Sequence, residues 1–420
     1  MTSWPGRFVC APGPTIEKGH KARHKHAASA LVLVASLALA ACGGIGTRVG
    51  APSRGVGAPR SLVYRFGVVG NRGKIARLEL DTPTVVAGIR GKVVQIATSN
   101  SDGYALTSSG AVWAWGVGSY GELGDGKTPP YDTEAVGVEF PAGVKIASLA
   151  NPMPFDGALA IDSSGHVWGW GLNPGGDLCL SGLTELRPRQ IPLSGVTLAS
   201  GARTHSLFDS KGQVYACGSG DDGVLGNGST TSSSTPTAVV GLPTTAKVIA
   251  LASSWEGSGA LLGDGSYYDW GYNAAGQLGD GDTANSDVPV RVKLPAAARQ
   301  VFQGGSGATN GQTVVILANG SVWAWGDNKK GQLGDGSRTN SDVPVPVDVP
   351  AGVTFARVNS GGYSCYAIDQ SGRFWAWGGN DNGQLGTRIS ARSEKEPVDV
   401  GIHLTQVSST ASNVAGFDQS

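Results

Sequence analysis

An all-β protein, built from seven four-stranded units closed into a ring, is predicted by three observations. One segment is written out repeatedly, side-chain type alternates inside it, and the two ends of the chain carry complementary incomplete copies. The segment is clearest at Gly320 to Gly336, GSVWAWGDNKKGQLGDG. It returns as GAVWAWGVGSYGELGDG (Gly110 to Gly126), GHVWGWGLNPGGDL (Gly165 to Leu178), GQVYACGSGDDGVLGNG (Gly212 to Gly228), GSYYDWGYNAAGQLGDG (Gly265 to Gly281) and GRFWAWGGNDNGQLG (Gly372 to Gly386). The glycine that closes each Trp-Gly pair or its equivalent falls at 116, 171, 218, 271, 326 and 378, a spacing of 47 to 55 residues. A period of that length signals a solenoid, a propeller or an array.

Inside a repeat the period is two. Val322 and Ala324 point to one side and Trp323 and Trp325 to the other, as on a strand. A pair of indoles on one face is more apolar surface than a lone sheet can hide, so the next repeat is expected to cover it. Each repeat divides into four strands. An inner one is exemplified by Val353 to Asn359, a second by Tyr366 to Asp369, the third carries the Trp pair, and the fourth is exemplified by Val343 to Val347. Ser109-Gly110, Asn319-Gly320 and Ser371-Gly372 supply hairpin turns between the second and third strands. Pro344 and Pro346 confine the fourth strand to the rim, where no ladder partner needs the missing N–H.

The ends give the closure. Leu404 to Ser420 reads as the first two strands of a repeat, and Ser61 to Gly67 as a third strand ending 49 residues before Gly116. Together they make one unit, the seventh after six whole ones, and sharing of this kind has a purpose only in a ring. Residues 61–420 are therefore expected to form one domain. The 66 glycines, 22 prolines and 15% charged residues suit tight turns, and zero formal net charge argues against nucleic acid or an anionic membrane surface as a partner.

Residues 1–41 read as a secretory signal. Lys18, Lys21, Arg23 and Lys25 precede the apolar run Ala27 to Ala41, which is too short to span a bilayer comfortably. Leu39-Ala40-Ala41-Cys42 resembles a bacterial lipobox, which implies cleavage before Cys42 and lipidation of its thiol; residues 42–60 then form a flexible tether. Of the other cysteines, Cys179 stands where most repeats have the last Gly of Gly-Gln-Leu-Gly, Cys217 where they have Trp, and Cys365 in a strand. With no Cys-x-x-Cys spacing, these are expected to be small buried fillers rather than a disulfide framework or a metal site.

The Trp-Gly pair followed by Gly-Gln-Leu-Gly-Asp-Gly, six times clearly and once split, resembles the regulator of chromosome condensation repeat. That resemblance implies a seven-bladed β-propeller with four-stranded antiparallel blades, one of them closed by both termini. It covers residues 61–420. The family includes a nucleotide exchange factor for a small GTPase and exported bacterial members, some of them β-lactamase inhibitors; the signal and lipobox place this chain with the exported bacterial branch. The family pattern Ser-x-Gly-x-x-His-Ser survives best at Ser200 to Ser206, where His205 is expected to pack between blades.

In an up-and-down blade the first-to-second and third-to-fourth loops open on one face. That face should present Asp102, Phe155, Arg203, Trp255, Glu256, Asn310 and Tyr363, with Tyr120 and Tyr272 on the second set of loops. Trp255 and Phe155 interrupt loops of small polar residues, as the anchors of a binding surface do, although they could equally plug the ring's own channel. Asp102, Asp156 and Glu256 are the loop carboxylates and lie on three different blades, which gives little support to the alternative of a glycan-active hydrolase or lyase working in the channel. The acid runs at Asp280 to Asp287 and Asp335 to Asp342 lack the closing Glu of a calcium loop and are expected to be turns. The expectation is a monomeric, membrane-anchored extracytoplasmic binder of a protein partner, without catalysis, cofactor or metal; a β-lactamase-inhibitor-like binder is a narrower version of it.

Overall fold

The alternating segments are strands in the computed structural model, which describes residues 62–69, 78–305, 310–381, 383–386, 391–409 and 413–418. The signal segment, Cys42 and the tether lie outside the described residues. The strands form seven four-stranded antiparallel sheets, the architecture of β-propeller blades. Six are consecutive in sequence. The first comprises Val93–Thr98, Asp102–Thr107, Val112–Gly116 and Asp132–Gly137, and the fourth comprises Val248–Ser253, Gly257–Leu262, Tyr267–Gly271 and Ser286–Arg291. The remaining sheet is composite: Leu62–Val69 pairs on one side with Leu78–Val85 and on the other with Asn413–Asp418, which in turn pairs with Gln406–Ser409.

The Trp-Gly pair has a mechanical meaning. In all six consecutive sheets the register between third and fourth strands skips the residue before the glycine: Trp115, Trp170, Cys217, Trp270, Trp325 and Trp377. The glycine itself sits at positive φ, from +92° at Gly378 to +120° at Gly116, where an L side chain is strained. The resulting bulge frees the second Trp from the ladder and leaves it fully buried at Trp270, Trp325 and Trp377. Trp323, the first of its pair, is only half-buried, so the two indoles do different jobs.

The second indole packs on the preceding sheet rather than the following one. Trp170 Nε1 donates to Glu122 O (3.0 Å), Trp270 to Val224 O (2.9 Å), Trp325 to Gln277 O (2.9 Å) and Trp377 to Gln332 O (2.9 Å). Two residues beyond each acceptor lies a glycine at φ +64° to +70° (Gly124, Gly226, Gly279, Gly334), and a Cβ there would meet that same indole at 2.6–2.9 Å. Gly-x-Leu-Gly and Trp-Gly are thus the two halves of one joint between sheets. Asn173, Asn273, Asn328 and Asn380 hold the Leu of that loop, each accepting its backbone N–H at 2.9–3.0 Å. Two of the first indoles are held at the hairpins by an aspartate. Trp168 donates to Asp162 (3.0 Å) and Trp375 to Asp369 (3.1 Å). Burial pushes the Asp369 carboxyl up, but Ser371, Trp375 and the backbone N–H groups of Arg373 and Ser371 outweigh it and hold it at about 2.

One joint is made differently, and it corrects the expectation for the cysteines. Cys179 and Cys217 are disulfide-bonded, Cα to Cα 5.5 Å, between the second and third sheets. The reason lies in the joint itself. With Cys217 in place of the indole, the space over residue 179 is open, and a side chain can stand where the other repeats need glycine. Cys179 keeps the glycine's backbone, at φ +53°, which costs an L-residue about 1–2 kcal/mol. Ser206 takes over the carbonyl that an indole would have capped, donating to Asp177 O (2.5 Å). Cys365 is free and buried, as a filler should be.

A crosslink over 38 residues contributes about 4 kcal/mol by loop entropy. Reduction should therefore lower the unfolding free energy in urea by about 2–4 kcal/mol, and the double variant C179G/C217W, which restores the joint used elsewhere, should be insensitive to reductant and recover most of that loss.

Candidate functional site

Strand parity brings the first-to-second loops together with the third-to-fourth loops at one end of the sheets. Asp102 pairs with Gly116 and Gly257 with Gly271, so the residues just before Asp102 and Gly257 neighbour those just after the Trp-Gly glycines. A small cavity opens at this end, and all seven sheets line it. Asn100, Phe155, Arg203 and Trp255 come from the first four, Gln303, Ser360 and Ser409 from the rest.

Three of the predicted residues meet there. Phe155 and Trp255 face each other edge-on with ring centroids 5.2 Å apart, and the Arg203 guanidinium lies 3.7 Å over the Trp255 ring and 4.9 Å from the Phe155 ring. Each residue belongs to a different sheet, and their loops are tied in series. Asn100 N–H donates to Phe155 O (2.9 Å), Phe155 N–H to Ala202 O (3.1 Å), and Thr204 Oγ1 to Trp255 O (3.0 Å). Both rings are half-buried while Arg203 is exposed, so the cluster is a fixed apolar platform under a cation. Cation–π contacts of this kind are worth about 0.5–2 kcal/mol, and more as water is excluded.

The other predicted residues fall elsewhere. Glu256, half-buried, has its carboxyl pushed up by burial and by Asp222 and Asp221, against the pull of Arg203. Asn310 donates through Nδ2 to the Tyr363 hydroxyl, a link between the fifth and sixth sheets. Tyr120, exposed, and Tyr272, half-buried, sit on the outer loops; Tyr272 N–H donates to Glu256 O (2.9 Å). Asp102 is fully buried, accepts from Ser99 Oγ (2.8 Å), and has its pKa raised well above the carboxylate range by burial and by Glu122. Neither Asp102 nor Glu256 lines the cavity.

His205 is fully buried, where burial pushes its pKa down to about 4. It lies 2.7 Å from Ser258 Oγ, and that hydroxyl is also 2.7 Å from Val224 O, the carbonyl capped by Trp270. The pair is a bond between the third and fourth sheets, reinforcing the indole joint. The acid runs serve turns: Asp280 and Asp335 each accept from the Asn side chain that holds the Leu loop.

Sequence reasoning missed the small hydroxyls and amides that complete the rim. Ser200 and Ser253 bridge the third and fourth sheets at 2.6 Å, and Gln312 Nε2 reaches Gly361 O at 3.0 Å between the fifth and sixth. For the two serines the available signal was their recurrence near the end of successive inner strands.

If the platform is a surface device rather than part of the core, Trp255→Ala should lower stability by about 1 kcal/mol, against about 3–5 kcal/mol for Trp270→Ala, as read by chemical denaturation of the two variants side by side.

The regulator of chromosome condensation (RCC1) repeat profile matches residues 211–261, 264–308 and 319–368. The Arabidopsis thaliana mitochondrial RCC1 domain-containing protein RUG3 is 30% identical over 312 residues, covering 70% of this chain and 67% of that one. The mouse E3 ubiquitin-protein ligase HERC2 is 26% identical over 308 residues, 70% of this chain but only 6% of its own length. Among solved structures, Prp20p from Saccharomyces cerevisiae superposes with a TM-score of 0.71 at 20% identity, over 85% of this chain and 91% of that one. Repeat profile, sheet order and a relative matched over two thirds of both chains agree, and the protein belongs to the RCC1-repeat family of β-propellers.

Proposed function

We propose that this chain is a non-catalytic, extracytoplasmic binding propeller, anchored by a lipid on Cys42, which grips a protein partner through the loop face carrying Arg203, Trp255 and Phe155. The observation that carries the reading is the cation–aromatic cluster, fixed by hydrogen bonds between loops and set in a rim of small polar groups. A platform already ordered in the free protein loses little entropy on binding, and aromatic and arginine anchors dominate interface energetics. Glu256, Tyr363, Asn310, Tyr120, Tyr272 and Asp102 then shape and support the same face.

We also take the composite sheet to be the seventh blade of a closed ring. In support, Thr98 Oγ1 and Ser408 Oγ are 3.0 Å apart, and Gln406 Oε1 accepts from Ile96 N–H at 3.2 Å, joining the composite sheet to the first. Protein binding is consistent with relatives: Prp20p is described with binding properties toward Gsp1p and histones, and yeast RCC1 with Kap60 bound. Export is favoured by the disulfide, since such bonds persist in oxidising compartments, and by the signal-like leader.

In capture experiments with the tethered chain, Trp255→Ala combined with Tyr363→Ala should reduce recovery of the bound partner at least tenfold; undiminished recovery would put the interface elsewhere. Cys42→Ala should shift the chain from the membrane to the soluble extracytoplasmic fraction, and unchanged membrane retention would remove the lipid anchor from the account.

A further inference from the structure

At the opposite, hairpin end of the sheets a second cavity of about 560 Å³ opens among the inner strands. Val94, Gln95 and Leu106 from the first sheet, Ala147 from the second, Arg357 from the sixth, and Thr405 and Gln406 beside the composite sheet line it. That size falls within the range of small-ligand sites, about 300–1,000 Å³.

Its chemistry is one-sided. The two amides are already committed: Gln95 binds Leu149 through both its nitrogen and its oxygen at 2.8 Å, and Gln406 binds Ile96 at 3.2 and 3.3 Å. Arg357 is exposed and makes no hydrogen bond or ion pair among the described residues. No carboxylate lines the cavity. A second guanidinium lies close by, because Arg299 reaches from the fifth sheet to Phe355 O (3.1 Å) and Ala356 O (3.4 Å), the residues just before Arg357. The acids of the hairpins are occupied locally: Asp369 by Arg373 (2.9 Å), Asp162 by His166 (3.2 Å) and Asp209 by Thr197 (2.5 Å). An uncompensated guanidinium beside a second cation favours an anion. Its planar fork matches a carboxylate in two parallel bonds. Val94, 43% exposed, with Ala147 and Leu106, offers an apolar bed alongside.

We propose that this cavity binds a small carboxylate ligand, with the carboxylate on Arg357 and a short apolar body on Val94, Ala147 and Leu106. The carboxylate can belong to a free aliphatic acid or to the C-terminus of a peptide. This site is independent of the loop face, so either can fail alone.

Titration calorimetry of the full chain tests it with hexanoate, hexanamide, inorganic phosphate, and the peptide acetyl-Gly-Ala-Val with a free or an amidated C-terminus. Hexanoate or the free-acid peptide should bind, and which of them does identifies the source; hexanamide and the amidated peptide should not. Arg357→Gln should weaken binding at least tenfold, Arg299→Gln by less, and Ala147→Leu should weaken it by narrowing the bed. Equal binding of acid and amide, equal binding of phosphate, retention within twofold by Arg357→Gln, or no binding by either carboxylate overturns the proposal.

Discussion

Four of the joints between neighbouring sheets depend on one contact: an indole from one laid against a glycine of the sheet before it, with the indole N–H on a carbonyl two residues upstream of that glycine. The contact buries the largest side chain available while leaving its only polar atom paired. Losing either side leaves a buried group without its partner, at about 1–3 kcal/mol. The two glycine-rich motifs of the repeat are read most simply as the two sides of this contact. The Trp-Gly bulge delivers the ring, and the Gly-x-Leu-Gly loop receives it.

The seam between the second and third sheets shows how strongly the two sides are coupled. Neither cysteine is tolerable alone. Cys179 opposite an indole would collide with it, and Cys217 opposite a glycine would leave a void and an uncapped carbonyl. Present together they fill each other's space and bond covalently, with Ser206 supplying the missing donor. The seam exchanges dispersion and a hydrogen bond for a covalent link, and in doing so makes its strength depend on the redox state of the surroundings.

The four-stranded antiparallel blades were legible in the sequence because period and alternation are properties of the chain alone. Strand order, the hairpins at Ser-Gly turns and the prolines on the fourth strand followed from them. The disulfide was not legible, because it depends on two residues in different repeats occupying one joint, and that is visible only once Trp270 and Gly226 show what the joint normally holds. The meeting of Phe155, Arg203 and Trp255 was half legible. Parity assigned all three to one end, but their stacking follows from backbone bonds between loops that no spacing encodes. Asp102 illustrates the opposite error: a charged residue beside a loop suggests exposure, whereas here it is buried under Ser99.

In each of the six consecutive sheets the inner strand skips one residue in its pairing with the second strand, at Val94, Ala147, Thr197, Ile249, Arg299 and Ala356. Five of the six are exposed, and their identities range from alanine to arginine. A position outside both the ladder and the indole contacts can change its side chain without disturbing either. The side chains at this end of the inner strands can therefore be rewritten one residue at a time while the walls that support them stay constant.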